Sequence, residues 1–124
     1  MQGWVILLWT DVESWLLDLD EDTYIRVAAA IDLLSSGGPT LGRPLVDRVS
    51  GSRHHNMKEL RPSSGGGKAI RILFAFDPWR RAVLLLAGDK AGSWNDWYVR
   101  NVPIADDRFD SWLDGLEEVS DGEA

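Results

Sequence analysis

Met57–Lys90 reads MKELRPSSGGGKAIRILFAFDPWRRAVLLLAGDK, three consecutive strands joined by two turns, and its central run decides the fold. From Ala69 to Phe76 the residues alternate, with Ile70, Ile72, Phe74 and Phe76 on one face and Arg71, Leu73 and Ala75 on the other. Arg71 is therefore expected to point away from the apolar layer. Asp77-Pro78-Trp79-Arg80 supplies a turn, because proline fixes φ at the second position and aspartate at the first bonds to the backbone. Arg81 to Ala87 is apolar almost throughout, which suits a strand covered on both faces in the sheet interior. Gly88 then ends the strand and delivers Asp89 and Lys90 at its carboxyl end.

Working outward, Trp4 to Trp9 suits a short first strand, and Thr10-Asp11-Val12-Glu13 has the pattern of a capping box that starts a helix. Asp18 to Asp22 offers a second N-cap with acids in the first turn. That explanation needs no ligand, so it is preferred to a metal site. From Glu21 to about Ser36 the spacing is helical, with Tyr24, Ile25, Ala28, Ala29, Ile31, Asp32 and Leu34 along a largely apolar stripe rich in small residues. Gly37, Gly38 and Pro39 stop it. Leu41 to Asn56, punctuated by Gly42, Pro44 and Gly51, reads as an irregular surface connection.

After the sheet, Ser93-Trp94-Asn95-Asp96 is another capping-box pattern. Pro103 is expected to break or kink the helix, which resumes to Glu118 with Ile104, Phe109, Trp112, Leu113 and Leu116 buried. Residues 1–118 form one domain on this reading, with 119–124 an acidic tail that frays. The fold class is α+β: a small, mostly antiparallel sheet with two N-terminal helices and a C-terminal helix.

A chain of 124 residues can bury one core without staples, and with no cysteine there is neither a disulfide nor a thiolate metal site. The apolar run at the amino terminus falls short of the roughly 20 residues a membrane helix needs, so a cytoplasmic protein with no membrane partner is expected. The net charge of −7 is unevenly spread: residues 1–36 carry −6, residues 37–100 carry +6 and residues 101–124 carry −7. The sheet region is thus locally cationic, which is what a polyanion would meet.

Ser63 to Lys68 fails as a phosphate-binding loop, because Pro62 stands where the first glycine should be and Ala69 where a hydroxyl should be. No G-x-S-x-G elbow is present, and the adjacent His54 and His55 lack a third ligand at usable spacing, so neither a metal nor a cofactor is expected. What remains is a cationic group, Lys58, Arg61, Arg71 and Lys90, with His54, His55 and Tyr98 nearby in sequence. Such residues can deprotonate a 2′-hydroxyl, stabilise phosphoryl oxygens and protonate a leaving oxygen. Composition alone leaves open that they merely solvate a sheet face.

The segments MKELRP, AIRILFAFDP and VLLLAGDK, in this order and framed by helices, resemble the RelE-like toxins of type II toxin–antitoxin systems, in the phage-derived HigB-like branch. The resemblance spans roughly residues 4 to 113. It implies an antiparallel or mixed sheet with a helical pair on one face, and a ribosome-dependent endoribonuclease that cuts messenger RNA until a cognate antitoxin, expected as a helix-turn-helix protein, neutralises it. On this resemblance Arg61 and Arg71 clamp the scissile phosphate, Lys90 stabilises developing charge, and Lys58, His54 or Tyr98 handles protons. Arg43, Arg53 and Lys68 are expected to contact RNA. Two departures stand out: the family is usually basic where this chain is acidic, and a lysine pair common in HigB-like members is here Lys90 alone. A non-catalytic interaction module on the same fold is the alternative.

Overall fold

The structure, a computed structural model, describes residues 3–63, 66–92 and 94–123. Its elements are β1 (Val5–Leu8), α1 (Thr10–Leu17), α2 (Glu21–Gly37), β2 (Val46–Arg48), β3 (Lys58–Leu60), β4 (Ile70–Phe76), β5 (Arg81–Asp89) and α3 (Trp94–Glu123). The strands form one sheet in the order β1-β5-β4-β3-β2, antiparallel except for the parallel pair β1 and β5. The α+β class and the interior position of β5 are as the sequence implied.

Both faces of the sheet are covered. Ile70, Ile72 and Phe74 pack with Val12 of α1 and with Val27, Ala30 and Leu34 of α2. On the other face, Leu73 and Ala75 pack with Trp97, Val102, Ala105 and Phe109 of α3. The face that carries Arg71 is therefore a second apolar layer over most of its length, and the arginine stands at its margin.

β5 departs from strict alternation. Its register against β4 shifts between Leu73, opposite Leu86, and Phe74, opposite Leu84, which leaves Leu85 as the extra residue of a β-bulge. Leu85 and Leu86 consequently both face α3, whereas Leu84 and Ala87 face the α1–α2 side. From the bulge onward the even-numbered residues, Gly88 included, lie on the α3 face.

Several local expectations need correcting. Trp9, not Thr10, is the N-cap of α1, and no side chain caps that end, so the capping box is not formed. In α2 the buried stripe is Thr23, Val27, Ala30 and Leu34, while Tyr24 and Ile25 are exposed. Apolar residues crowd both sides of this helix, and the decisive member of the buried stripe is a polar one whose hydroxyl bonds to the capping Asp20. The connection from Leu41 to Asn56 contains β2, a three-residue edge strand with too little sequence to show a period. α3 runs through Pro103 as one helix, and Ile104 lies on its exposed side. The expected Ser93 cap lies outside the described residues.

Two tight turns lock the frame. α2 is capped by Gly38, with φ +54°, where an added Cβ would collide with the Trp4 ring. At the β4–β5 turn, the buried carboxylate of Asp77 accepts hydrogen bonds from the backbone amides of Trp79 and Arg81, from Arg81 Nε at 2.9 Å and from Trp112 Nε1 at 3.0 Å. It joins the turn to α3. Asp77→Ala should therefore cost about 2–4 kcal/mol of unfolding free energy in urea titrations, because several donors lose one buried charged acceptor. Asp77 stands six residues along β4 from Arg71, roughly 20 Å, so activity per folded molecule should hold.

Candidate active site

β3 and β4 are antiparallel, with Glu59 opposite Leu73 and Arg71 opposite Gly88 of β5, so Glu59 and Arg71 share the α3 face. The bulge brings Lys90 to the same face, and Asp89 fixes the strand end by accepting from the amides of Ala69 and Ala91. Gly88 leaves room there: an added Cβ would sit 3.0 Å from Trp97 Nε1. Tyr98, in the second turn of α3, then reaches over this corner.

Glu59 is the centre. The residue is 4 % exposed, and its carboxylate accepts a 2.6 Å hydrogen bond from the Tyr98 hydroxyl. Arg71 Nε lies 3.6 Å from one carboxylate oxygen and Arg61 Nε 3.6 Å from the other. Among the described residues neither Nε makes a hydrogen bond, so Glu59 holds each Nε by charge, while Arg71 Nη1 donates to the Ile70 carbonyl at 2.8 Å and Arg61 Nη1 lies 3.7 Å from Asp47. Lys90, 1 % exposed, donates to the Tyr98 oxygen at 3.0 Å. Glu59, Arg61, Lys90 and Tyr98 line a groove of about 510 Å³ together with Arg48, Ser50, Asn95 and Val99, and Arg71 stands beside Glu59 without lining it. Three formal cations meet two carboxylates, Glu59 and the Asp47 that faces Arg61, leaving the corner with an excess of one positive charge.

The environment shifts two of these groups. Burial, then the adjacent Arg71 and Arg61, hold the Lys90 ammonium below its ordinary range, with Glu59 opposing. Burial and the hydrogen bond to Glu59 push the Tyr98 phenol up to about 12. Among the described residues no three His, Asp or Glu side chains converge as a metal would require.

Of the residues singled out in the sequence, the structure brings together Arg61, Arg71, Lys90 and Tyr98. Lys58 is elsewhere: it stands opposite Phe74 on the other face of the sheet, with its ammonium 5.6 Å from the Phe76 ring centre. His54 bonds through Nε2 to Asp110 at 2.7 Å and packs edge-on against Phe109. Asp110 lies twelve residues beyond Tyr98, about 18 Å along the helix. Arg53 pairs with Asp107 at 2.9 Å and with Asp110 at 2.5 Å. Arg53 and then His54 hold the Asp110 carboxyl below the usual carboxylate range. Arg43 is exposed beside Asp47, and His55 is exposed. Lys68 donates to Asp20 and Thr23 at the start of α2, and with Thr23 it holds the Asp20 carboxyl well below its ordinary value.

Glu59 is the member that sequence reasoning passed over. A signal existed, since it is the sole acid between Asp47 and Asp77 in the basic part of the chain.

The family model described as "Phage derived protein Gp49-like (DUF891)" matches residues 14–110. The chain belongs to the Gp49-like family. It is 57% identical over 108 residues to "Putative toxin HigB3" of Mycobacterium tuberculosis (strain ATCC 25618 / H37Rv), covering 87% of this chain and 92% of that protein. It is 54% identical over 115 residues to "Putative toxin HigB2" of the same strain, covering 90% of this chain and 57% of that protein, so it spans little more than half the latter's length. These relationships place this Gp49-like chain in the HigB-like branch of the RelE-like superfamily.

Two measurements check this electrostatic picture. Because the folded Tyr98 pKa is raised from 10.0 to about 12, the stability linked to Tyr98 is fully present below about pH 10 and lost as pH rises towards about 12. Tyr98→Phe should lack that component in alkaline unfolding curves. Lys90 has the opposite sign, its lowered pKa making neutral pH the costly condition. At neutral pH, Glu59→Gln should cost about 3–5 kcal/mol by leaving buried cations uncompensated, whereas Lys90→Met should be neutral or stabilising in the same calorimetric comparison.

Proposed function

We propose that this chain is the toxin of a type II toxin–antitoxin pair and acts as a ribosome-dependent endoribonuclease on messenger RNA. The observation that carries the reading is the convergence of Arg61, Lys90 and Tyr98 around Glu59 in an open groove, with Arg71 beside the same carboxylate. The toxin names of the two M. tuberculosis relatives support it. An antitoxin, the ribosome and messenger RNA are the partners on this reading.

Cleavage by the neighbouring 2′-hydroxyl needs a base, a proton donor and positive charge on the phosphoryl oxygens. Arg61 and Arg71 are oriented by Glu59 through their Nε atoms, Arg61 further by Asp47 and Arg71 by the Ile70 carbonyl, and the N–H groups left over serve the phosphate. Burial and Arg71 make Lys90 easier to deprotonate than an ordinary lysine, and the deprotonated fraction takes the 2′-hydroxyl proton. Tyr98 remains protonated at neutral pH and donates to the departing 5′ oxygen. The proton then returns from Lys90 to Tyr98 along their 3.0 Å hydrogen bond, which resets both groups without an outside donor. Glu59 acts as a positioning residue.

Arg71→Ala should lower the rate of messenger cleavage on purified ribosomes by about 10²- to 10³-fold, typical of losing one preorganised electrostatic group. Its melting temperature should stay near that of the parent, and Arg71→Lys should recover part of the rate. A folded Arg71→Ala protein that cleaves at the parental rate overturns the site. One that arrests growth at parental strength without cleavage supports the non-catalytic interaction module.

A further inference from the structure

The groove does not end at Tyr98. A second hollow of about 220 Å³ adjoins it along α3, lined by Ser50, Gly51, Tyr98, Val99, Val102 and Pro103. Ser50, Tyr98 and Val99 line both, so the two form one trench with a cationic end and an apolar end. Val99 is 73 % exposed on the wall between them, although a solvated helix face would ordinarily carry a polar residue there. At the apolar end the wall comes from Val99, Val102, Pro103 and Tyr98, with Ser50 and Gly51 from the β2–β3 connection.

Charge restricts what this end can hold. One turn beyond Pro103, α3 carries Asp106 and Asp107, and Asp110 follows a turn later. Asp107 and Asp110 keep much of their carboxylates in solvent while pairing with Arg53. A phosphate moving along the trench would leave three cations and approach carboxylates, which a polyanion avoids. A neutral, flat, largely apolar group meets no such penalty, and it would lie beside Tyr98, within one nucleotide of the phosphate site.

Resting on the endoribonuclease reading, we infer that the Ser50–Pro103 hollow is a base subsite. It takes the unpaired nucleobase flanking the scissile phosphate, packed against Val99, and so contributes to the choice of cleavage position. Unpaired bases are recognised by splaying them onto apolar or aromatic side chains, and that contact tolerates many sequences while adding affinity.

The test is a cycle between the protein and the RNA. Ribosomes are programmed with a messenger whose decoding-site codon carries a 2′-deoxyribose at the scissile position, so that binding is measured without cleavage. A second messenger is abasic at the flanking nucleotide. Val99→Tyr should bind the first messenger complex about 5-fold more tightly by stacking, and Val99→Thr should bind it several-fold more weakly. Both effects should vanish on the abasic messenger, and melting temperatures should not move because Val99 is exposed. With a cleavable messenger, the distribution of cut sites should change in Val99→Tyr. Equal binding by all three proteins, or effects that persist on the abasic messenger, would overturn the subsite while leaving the endoribonuclease reading intact. Loss of antitoxin neutralisation in Val99 variants with unchanged RNA binding would reassign the hollow to a protein partner and likewise overturn it. A parent protein that neither binds nor cuts programmed ribosomes overturns both readings together.

Discussion

One buried carboxylate organises the functional corner of this molecule. Glu59 touches a phenol and two guanidiniums from three separate elements, and a lysine from a fourth place in the chain completes the ring through Tyr98. Burying such a group is expensive, and cores built without charge are often the more stable ones. The arrangement therefore makes most physical sense as preorganisation: Glu59 holds cations that would otherwise repel one another, yet it does not neutralise them all. The residual positive charge lies where an anion can reach it. Arginine contributes here because its five N–H donors can be shared, some fixing the side chain against Glu59, Asp47 or the Ile70 carbonyl and the others left for a ligand.

The acidity of the chain has a separate structural explanation. Asp106, buried in α3, accepts from the Ser52 hydroxyl and from the Arg53 amide at 2.9 Å, while Asp107 and Asp110 take the Arg53 side chain. Asp11 of α1 reaches Arg108 at 2.6 Å, and Arg108 also donates to the Leu85 carbonyl in β5. Acids on the two outer segments thus fasten helices and the β2–β3 connection to the sheet. A net charge of −7 can coexist with a cationic corner because several of the negative groups act within the fold.

Much of the fold was legible because β4 has a clean two-residue period and the β4–β5 turn announces itself with Asp77-Pro78. The covering of the second face was not, since α3 is far away in sequence and only packing reveals that Leu73 and Ala75 lie beneath it. Arg61, Arg71, Lys90 and Tyr98 were legible as a group through residue type and order. Lys58 was misplaced because neighbours on a strand face opposite sides, so a lysine next to Glu59 cannot join it. Glu59 was missed because searching for cations overlooks the anion that gathers them. His54 and Arg53 were drawn into the site by proximity in sequence, but their partners lie further along α3.

The bulge at Leu85 sets the phase of everything after it. Counted by twos from Leu84, Lys90 would emerge on the α1–α2 side of the sheet, away from Glu59 and Tyr98. One extra residue inverts that parity, so the chemistry of the corner depends on the length of β5 as much as on its composition. A related chain could keep every charged residue and still lose the constellation by dropping a single leucine. Aligning family members by identity alone would not register that loss, and counting residues between the Asp-Pro turn and the lysine would.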